Sequence, residues 1–135
     1  MLFHHLTRVL TQAQSYGQRG MAKEAADAFD EVATIADDNP DAQYHAGMGH
    51  LQAGNLAKAK MRWRKCLEID PQHSTARFNL ATLTAEMGDI ADATVMMREI
   101  VAQWPEPENH KTLAILLFKQ EMHEEAISQF SKCTE

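Results

Sequence analysis

A period of 34 residues constrains this 135-residue chain more than any other feature. Ala25, Ala59, Ala93 and Ala126 recur at spacings of 34, 34 and 33, and a large apolar residue follows each four positions later: Phe29, Trp63, Met97 and Phe130. Three positions further stand Val32, Cys66, Ile100 and Cys133. An i, i+4, i+7 set lies on one face of a helix, so every period carries a helix whose stripe is small, bulky, then medium. The alanine lets a neighbouring helix approach closely. Upstream lies a second helical pattern that ends at Gly20, Gly54 and Gly88, again 34 apart. Glycine suits the helix C′ position, where φ is positive. Pro71 and Pro105 stop the second helix, because the residue before a proline is pushed out of the helical region. The unit is therefore helix, tight turn, helix and a proline-marked stop.

Composition agrees with such an array. Leu, Ile, Val and Phe number only 26, but 20 alanines and eight methionines supply the missing apolar surface. Val, Ile and Thr together number 19, so the balance favours helices over sheets. The expectation is an all-α protein.

A 34-residue helical hairpin with small residues at fixed places, a turn glycine and a closing proline resembles the tetratricopeptide repeat. The resemblance covers nearly the whole chain as one array over 1–135, with repeats of about 6–39, 40–73, 74–106 and 107–135. It implies a right-handed α-α superhelix, a solenoid of helical hairpins that serves as a protein-binding scaffold. Two departures stand out. Repeat one has Asp37 at the proline place, with Pro40 three later, and repeat four has Glu121 at the glycine place, which predicts a looser or strained turn. Repeat four also reaches Glu135 before its second helix is complete. A solenoid end needs a polar cap, so Ile115, Leu116, Ile127 and Phe130 are expected to stand uncovered. That pattern suits a fragment of a longer chain or a self-associating end.

The face opposite the packing stripe is the candidate binding surface. In the first helices it reads Leu10 and Gln14, then Tyr44, Met48 and Leu51, then Phe78, Thr82 and Ala85, then Lys111, Ile115 and Phe118. The resemblance makes these the lining of a concave groove, with Gln18, Gln52, Glu86 and Lys119 on its edges, suited to an apolar or amphipathic peptide. A helix of the chain's own continuation is the alternative occupant. Some family members clamp the carboxylate of a chaperone tail with Lys, Asn and Arg side chains at fixed places. The matching residues here are Leu10, Gln14, His45, Thr75 and Asn79, none of which fits, so a co-adaptor of that kind is not expected.

A second candidate is Lys58, Lys60, Arg62, Arg64 and Lys65, five basic residues in eight. Trp63 in their midst belongs to the core stripe and is not free to stack on a base. The columns Glu24, Lys58, Asp92 and Glu31, Lys65, Glu99, Lys132 alternate in sign, which predicts ion pairs between successive second helices in preference to a docking patch.

Other chemistry finds little support. The net charge of −6 opposes non-specific nucleic-acid binding. No serine-hydrolase, phosphate-loop or zinc-protease motif occurs, so this chain alone is not read as an enzyme, although a catalytic domain beyond residue 135 would make it a recruiting region. Gly47-Met48-Gly49 falls inside a helix, where small residues serve packing. His45 and His50 lie about 140° apart on their helix and cannot close on one ion; the seven histidines read as surface or half-buried side chains, with no metal or cofactor. Cys66 and Cys133, two repeats apart, read as buried free thiols. No run approaches the roughly 20 apolar residues of a membrane span and no secretory leader is evident, so a cytoplasmic setting without membrane contact is expected.

Overall fold

The computed structural model describes residues 2–134, and every element among them is an α-helix: α1 Leu2–Gln18, α2 Ala22–Ile35, α3 Pro40–Gln52, α4 Leu56–Ile69, α5 Ser74–Glu86, α6 Ile90–Gln103, α7 Pro107–Lys119 and α8 His123–Cys133. They follow one another as four helix–turn–helix units. The chain divides into two compact units, Met1–Ala76 and Arg77–Glu135, with the division in the first turn of α5.

The same turn closes each hairpin. The N–H of Met21, Asn55, Asp89 and Met122 donates to the carbonyl five residues back, at 2.9, 2.8, 3.1 and 3.0 Å, while the N–H of the residue before each donates three residues back. This pair of hydrogen bonds is the Schellman motif, which needs a left-handed residue at C′. Gly20, Gly54 and Gly88 take φ of 72°, 81° and 98° there, and Glu121 is forced to 62°. The fourth turn is thus the same turn under strain, since a Cβ is disfavoured in the left-handed region. Glu121→Gly is expected to raise stability by about 0.5–1 kcal/mol, and Gly54→Ala to lower it by about 1 kcal/mol. Urea denaturation of the two variants checks both signs.

Prolines start helices as well as stop them. Pro40 and Pro107 occupy the first turn of α3 and α7, where a missing N–H costs nothing. Asn39 caps α3, its side chain accepting from the N–H of Asp41 at 2.9 Å and of Ala42 at 3.2 Å. The absent proline of repeat one is thereby replaced by an Asn cap followed by Pro40.

In the first unit the stripe alanines Ala25 and Ala59 are buried, with Val32, Trp63 and Cys66. α3 can approach α4 because Gly47 lacks a side chain: a Cβ there would stand 2.3 Å from Trp63 Nε1. Trp63 is 1 % exposed, and its indole N–H donates to the Tyr44 carbonyl at 3.2 Å. In the second unit Ala81, Ala93, Met97, Ile100, Leu113, Leu117 and Ala126 form one core, with Phe78 and Trp104 packed against it. The Arg77 guanidinium sits 5.3 Å over the Trp104 ring and donates to Gln103 Oε1 at 2.9 Å. Leu116 belongs to this core and is 4 % exposed, contrary to the expectation that it stands uncovered. It shares the inward face of α7 with Leu113 and Leu117, whereas Ile115 lies on the other side.

Candidate functional site

The first-helix faces are the only extended apolar surfaces that the sequence singles out for binding, and each unit presents its own. In the first unit, Leu6 and Leu10 of α1 face Ala42 and His45 of α3 across Phe29 and Val32 of α2. They enclose an apolar cleft of about 190 Å³. Beside it, Gln14, Gly17, Gln18 and Gln52 border an open depression of about 560 Å³ that shares Phe29 as a wall. Phe29 was assigned to the packing stripe; it is half-buried and walls both hollows. The helical period alone does not show this double duty, because α2 packs and floors the hollow with the same side chain. The His45 ring lies 6.2 Å from that of Phe29 and is stacked on it; Tyr44 meets His45 edge-on at 5.3 Å and His73 at 5.0 Å. Tyr44, Met48 and Leu51 are half-buried, and Gln14 is exposed.

In the second unit, Phe78, Thr82 and Ala85 of α5 are half-buried, and Lys111, Ile115 and Phe118 of α7 are exposed. Phe118 is 58 % exposed, with its ring edge-on to His123 at 5.2 Å.

The basic stretch is not a uniform patch. Lys58 and Arg64 are exposed, Lys60 and Lys65 half-buried, and Arg62 is turned inward with its side chain 11 % exposed. It donates through Nε to Asp30 Oδ1 at 2.8 Å and through Nη1 to Gln43 Oε1 at 2.9 Å. The Asp30 carboxylate also accepts from His50 Nε2 at 2.9 Å, while Asn55 Nδ2 stands 3.5 Å from His50 Nδ1. In this arrangement the Nε2 side of the imidazole faces the carboxylate and its Nδ1 side faces Asn55. Gln43, fully buried, donates onward to the carbonyls of Ala33 and Asp37 at 3.0 and 3.2 Å. This polar network links α2, α3 and α4. Burial alone would push the Asp30 carboxyl up, but the His50 hydrogen bond and the Arg62 charge and hydrogen bond outweigh it, and the group sits below its ordinary value of 3.8.

Within each unit the predicted alternation of charges between second helices does not form. Among the described residues Glu24 does not pair with Lys58, nor Glu31 with Lys65, nor Glu99 with Lys132; the ion pairs between successive second helices are Asp30–Arg62 and Arg98–Glu125. Asp30 and Arg98 each stand one residue before the column members Glu31 and Glu99, and Arg62 stands three before Lys65, so the pairing faces are turned round the helices from the columns read in the sequence. Glu31 instead meets His5, and Glu99 meets Arg77.

Two histidines are more deeply set than expected: His50 is 2 % and His110 7 % exposed. His110 Nδ1 lies 2.7 Å from Gln129 Oε1 and donates to it. Among the described residues no group of three or more His, Cys, Asp or Glu is placed to hold a metal ion. Both cysteines are free; Cys66 is buried but Cys133 only half so. Burial, with the negative charges of Asp70 and Asp41, pushes the Cys66 thiol up to about 11. A maleimide is therefore expected to label Cys133 in the native protein and Cys66 only after denaturation, a difference that intact-mass spectrometry reads directly.

Helical hairpins of this length, closed by a recurrent glycine turn and stacked on alanine, define a helical-repeat protein. Residues 50–116 match the tetratricopeptide repeat, and the chain belongs to that family. Among solved structures, a crystal structure of MamA superposes with a TM-score of 0.86 at 14% identity, covering 96% of this chain and 76% of that one. MamA 41-end from Desulfovibrio magneticus RS-1 gives 0.86 at 20% identity over 95% and 73%. YrrB, described as a TPR protein with an unusual peptide-binding site, gives 0.82 at 20% identity over 95% and 66%. These likenesses show the fold, an array of hairpins of the solenoid kind. A stretch of 47 residues is 45% identical to the type IV pilus assembly protein PilF of Pseudomonas aeruginosa, covering 35% of this chain and 19% of that protein. Among the described residues no helix is long and apolar enough to cross a membrane.

Proposed function

We propose that the chain is a non-catalytic docking scaffold that holds a peptide or helix of a partner protein against the first-helix faces of its repeats. Leu10, Gln14, Tyr44, Met48 and Leu51 would make the contacts in the first unit, and Phe78, Thr82, Lys111, Ile115 and Phe118 those in the second. The observation that supports this reading is apolar surface left open on those faces: the cleft against α1 and α3, and Ile115 and Phe118 at 39 % and 58 % exposure on α7. Open apolar surface of this kind marks an interaction site. The peptide-binding site named for YrrB is consistent with it.

The test is partner capture by a Tyr44→Ala, Phe118→Ala double variant. Phe118 is a better probe than Phe78, which packs against the core. Capture is expected to fall at least about tenfold, the loss of two interface aromatics, with the melting temperature nearly unchanged. A folded double variant that captures as well as the parent would refute the proposal.

One observation favours a second reading, self-association: Ile127 and Phe130 share a face of α8 and are 65 % and 42 % exposed. Sedimentation velocity on Ile127→Lys is the check. A concentration-dependent species in the parent that the variant lacks supports this reading, and a monomer in both removes it.

A further inference from the structure

We infer that the α1–α3 cleft of the first unit seats a bulky apolar side chain from a basic partner segment, with a Lys or Arg beside it against Asp41 and the turn carboxylates Asp37 and Asp38. This deepens the docking reading and rests on it. The size of the cleft sets the first half of the proposal. A protein cavity of about 150 Å³ accepts one benzene ring, so about 190 Å³ takes a single Leu or Phe side chain and little more. Its walls suit one: Leu6, Leu10, Phe29 and Val32 are apolar, and the His45 ring stacked on Phe29 adds a flat edge.

The charges around the mouth set the second half. Asp41 is the one acidic residue among the cleft's lining residues, which include no Lys or Arg. Its side chain is 76 % exposed, with its carboxylate 3.4 Å from His73 Nε2. Asn39 also lines the cleft, and the two residues that lead into it, Asp37 and Asp38, are both exposed. The α1 side contributes Leu6 and Leu10 and no charge. Arg8, between them in sequence, points about 160° away from each around the helix and lies 2.9 Å from His5 Nδ1. An apolar anchor flanked by carboxylates would thus bring like charges together at the mouth, whereas one flanked by cations meets complementary charge.

The experiment uses the whole chain and three sets of fluorescent dodecapeptides: a central Leu or Phe flanked by Lys, the same anchors flanked by Glu, and a central Ala flanked by Lys. Anisotropy titrations at low salt are expected to rank the first set at least about tenfold tighter than the other two, with affinity falling as salt rises. Asp41→Asn, and separately Asp37→Asn with Asp38→Asn, should each weaken the first set several-fold while leaving the fold intact. Methyl chemical shifts of Leu6, Leu10 and Val32 should move on titration with the Lys-flanked Leu peptide, a readout that depends on no variant. Equal binding of Lys- and Glu-flanked anchors with those same methyl shifts would overturn the basic-partner inference and leave the docking reading standing. Binding without cleft shifts, or no binding by any set, would overturn the inference outright.

Discussion

Gly47→Ala should destabilise the first unit by about 2 kcal/mol, although alanine is the better helix former by about 1 kcal/mol. The added Cβ would fall 2.3 Å from Trp63 Nε1 and 2.5 Å from Cδ1. The indole has no easy retreat, because it is 1 % exposed and its N–H is tied to the Tyr44 carbonyl. Overpacking a tight core typically costs about 1–3 kcal/mol, and a clash with a rigid aromatic lies at the upper end, so sterics outweigh propensity. Gly17 supplies the opposite case on α1. A Cβ there meets nothing within 4 Å, and Gly17→Ala is expected to stabilise by up to about 0.5–1 kcal/mol. Urea midpoints that moved in the same direction for both variants would show that the close approach of α3 to Trp63 is wrong.

Arg62→Ala should cost about 2–3 kcal/mol, far more than loss of a surface arginine. It would leave the Gln43 side chain, fully buried, without its charged donor and remove the cation that faces Asp30. A buried acceptor stranded in this way costs about 1–3 kcal/mol. The Asp30 carboxylate is 38 % exposed, so solvent screens its share and the full penalty of a broken buried ion pair does not apply. A cycle with Asp30→Ala should be non-additive by at least about 1 kcal/mol, since the two residues share one network. The pH dependence follows from the sign of the Asp30 shift. Its folded value lies below its ordinary value of 3.8, so the folded state favours the carboxylate. That stabilisation is fully present above the unfolded value and is lost as pH falls through the folded one. Acid unfolding followed below about pH 4 should therefore be less steep in Asp30→Asn than in the parent. A variant and parent of identical slope would remove Asp30 from the account.

The 34-residue period, the turn glycines and the alanine stripe were legible because they are set by backbone geometry: a left-handed turn residue and a close helix contact each admit few side chains. Glu121 was legible as an exception for the same reason, and it adopts the conformation that its glycine counterparts take. The network of Asp30, Gln43, His50 and Arg62 was not legible. Each member reads alone as a surface residue or as part of a charge run, and only the seam between three helices brings them together. Arg62 in particular sits amid four other basic residues, and nothing in that run tells which one turns inward. Phe29 shows a different limit, as one side chain can belong to a packing stripe and also wall a cleft. The face of the first helices was readable as apolar, but the cleft that opens on it in the first unit was not, because its walls come from α1, α2 and α3 together.

The central claim is that partners lie on the first-helix faces, and site-specific photo-crosslinking tests it most directly. A photoreactive residue placed at Gln14 or Phe118, both exposed on those faces, is compared with one at Arg64, exposed on α4. Exposed to an extract of the organism that encodes the chain, the first two should form covalent adducts with a partner segment, and Arg64 should form none. Adducts at Arg64 with none at Gln14 or Phe118 would place the partner on the second helices and contradict the account.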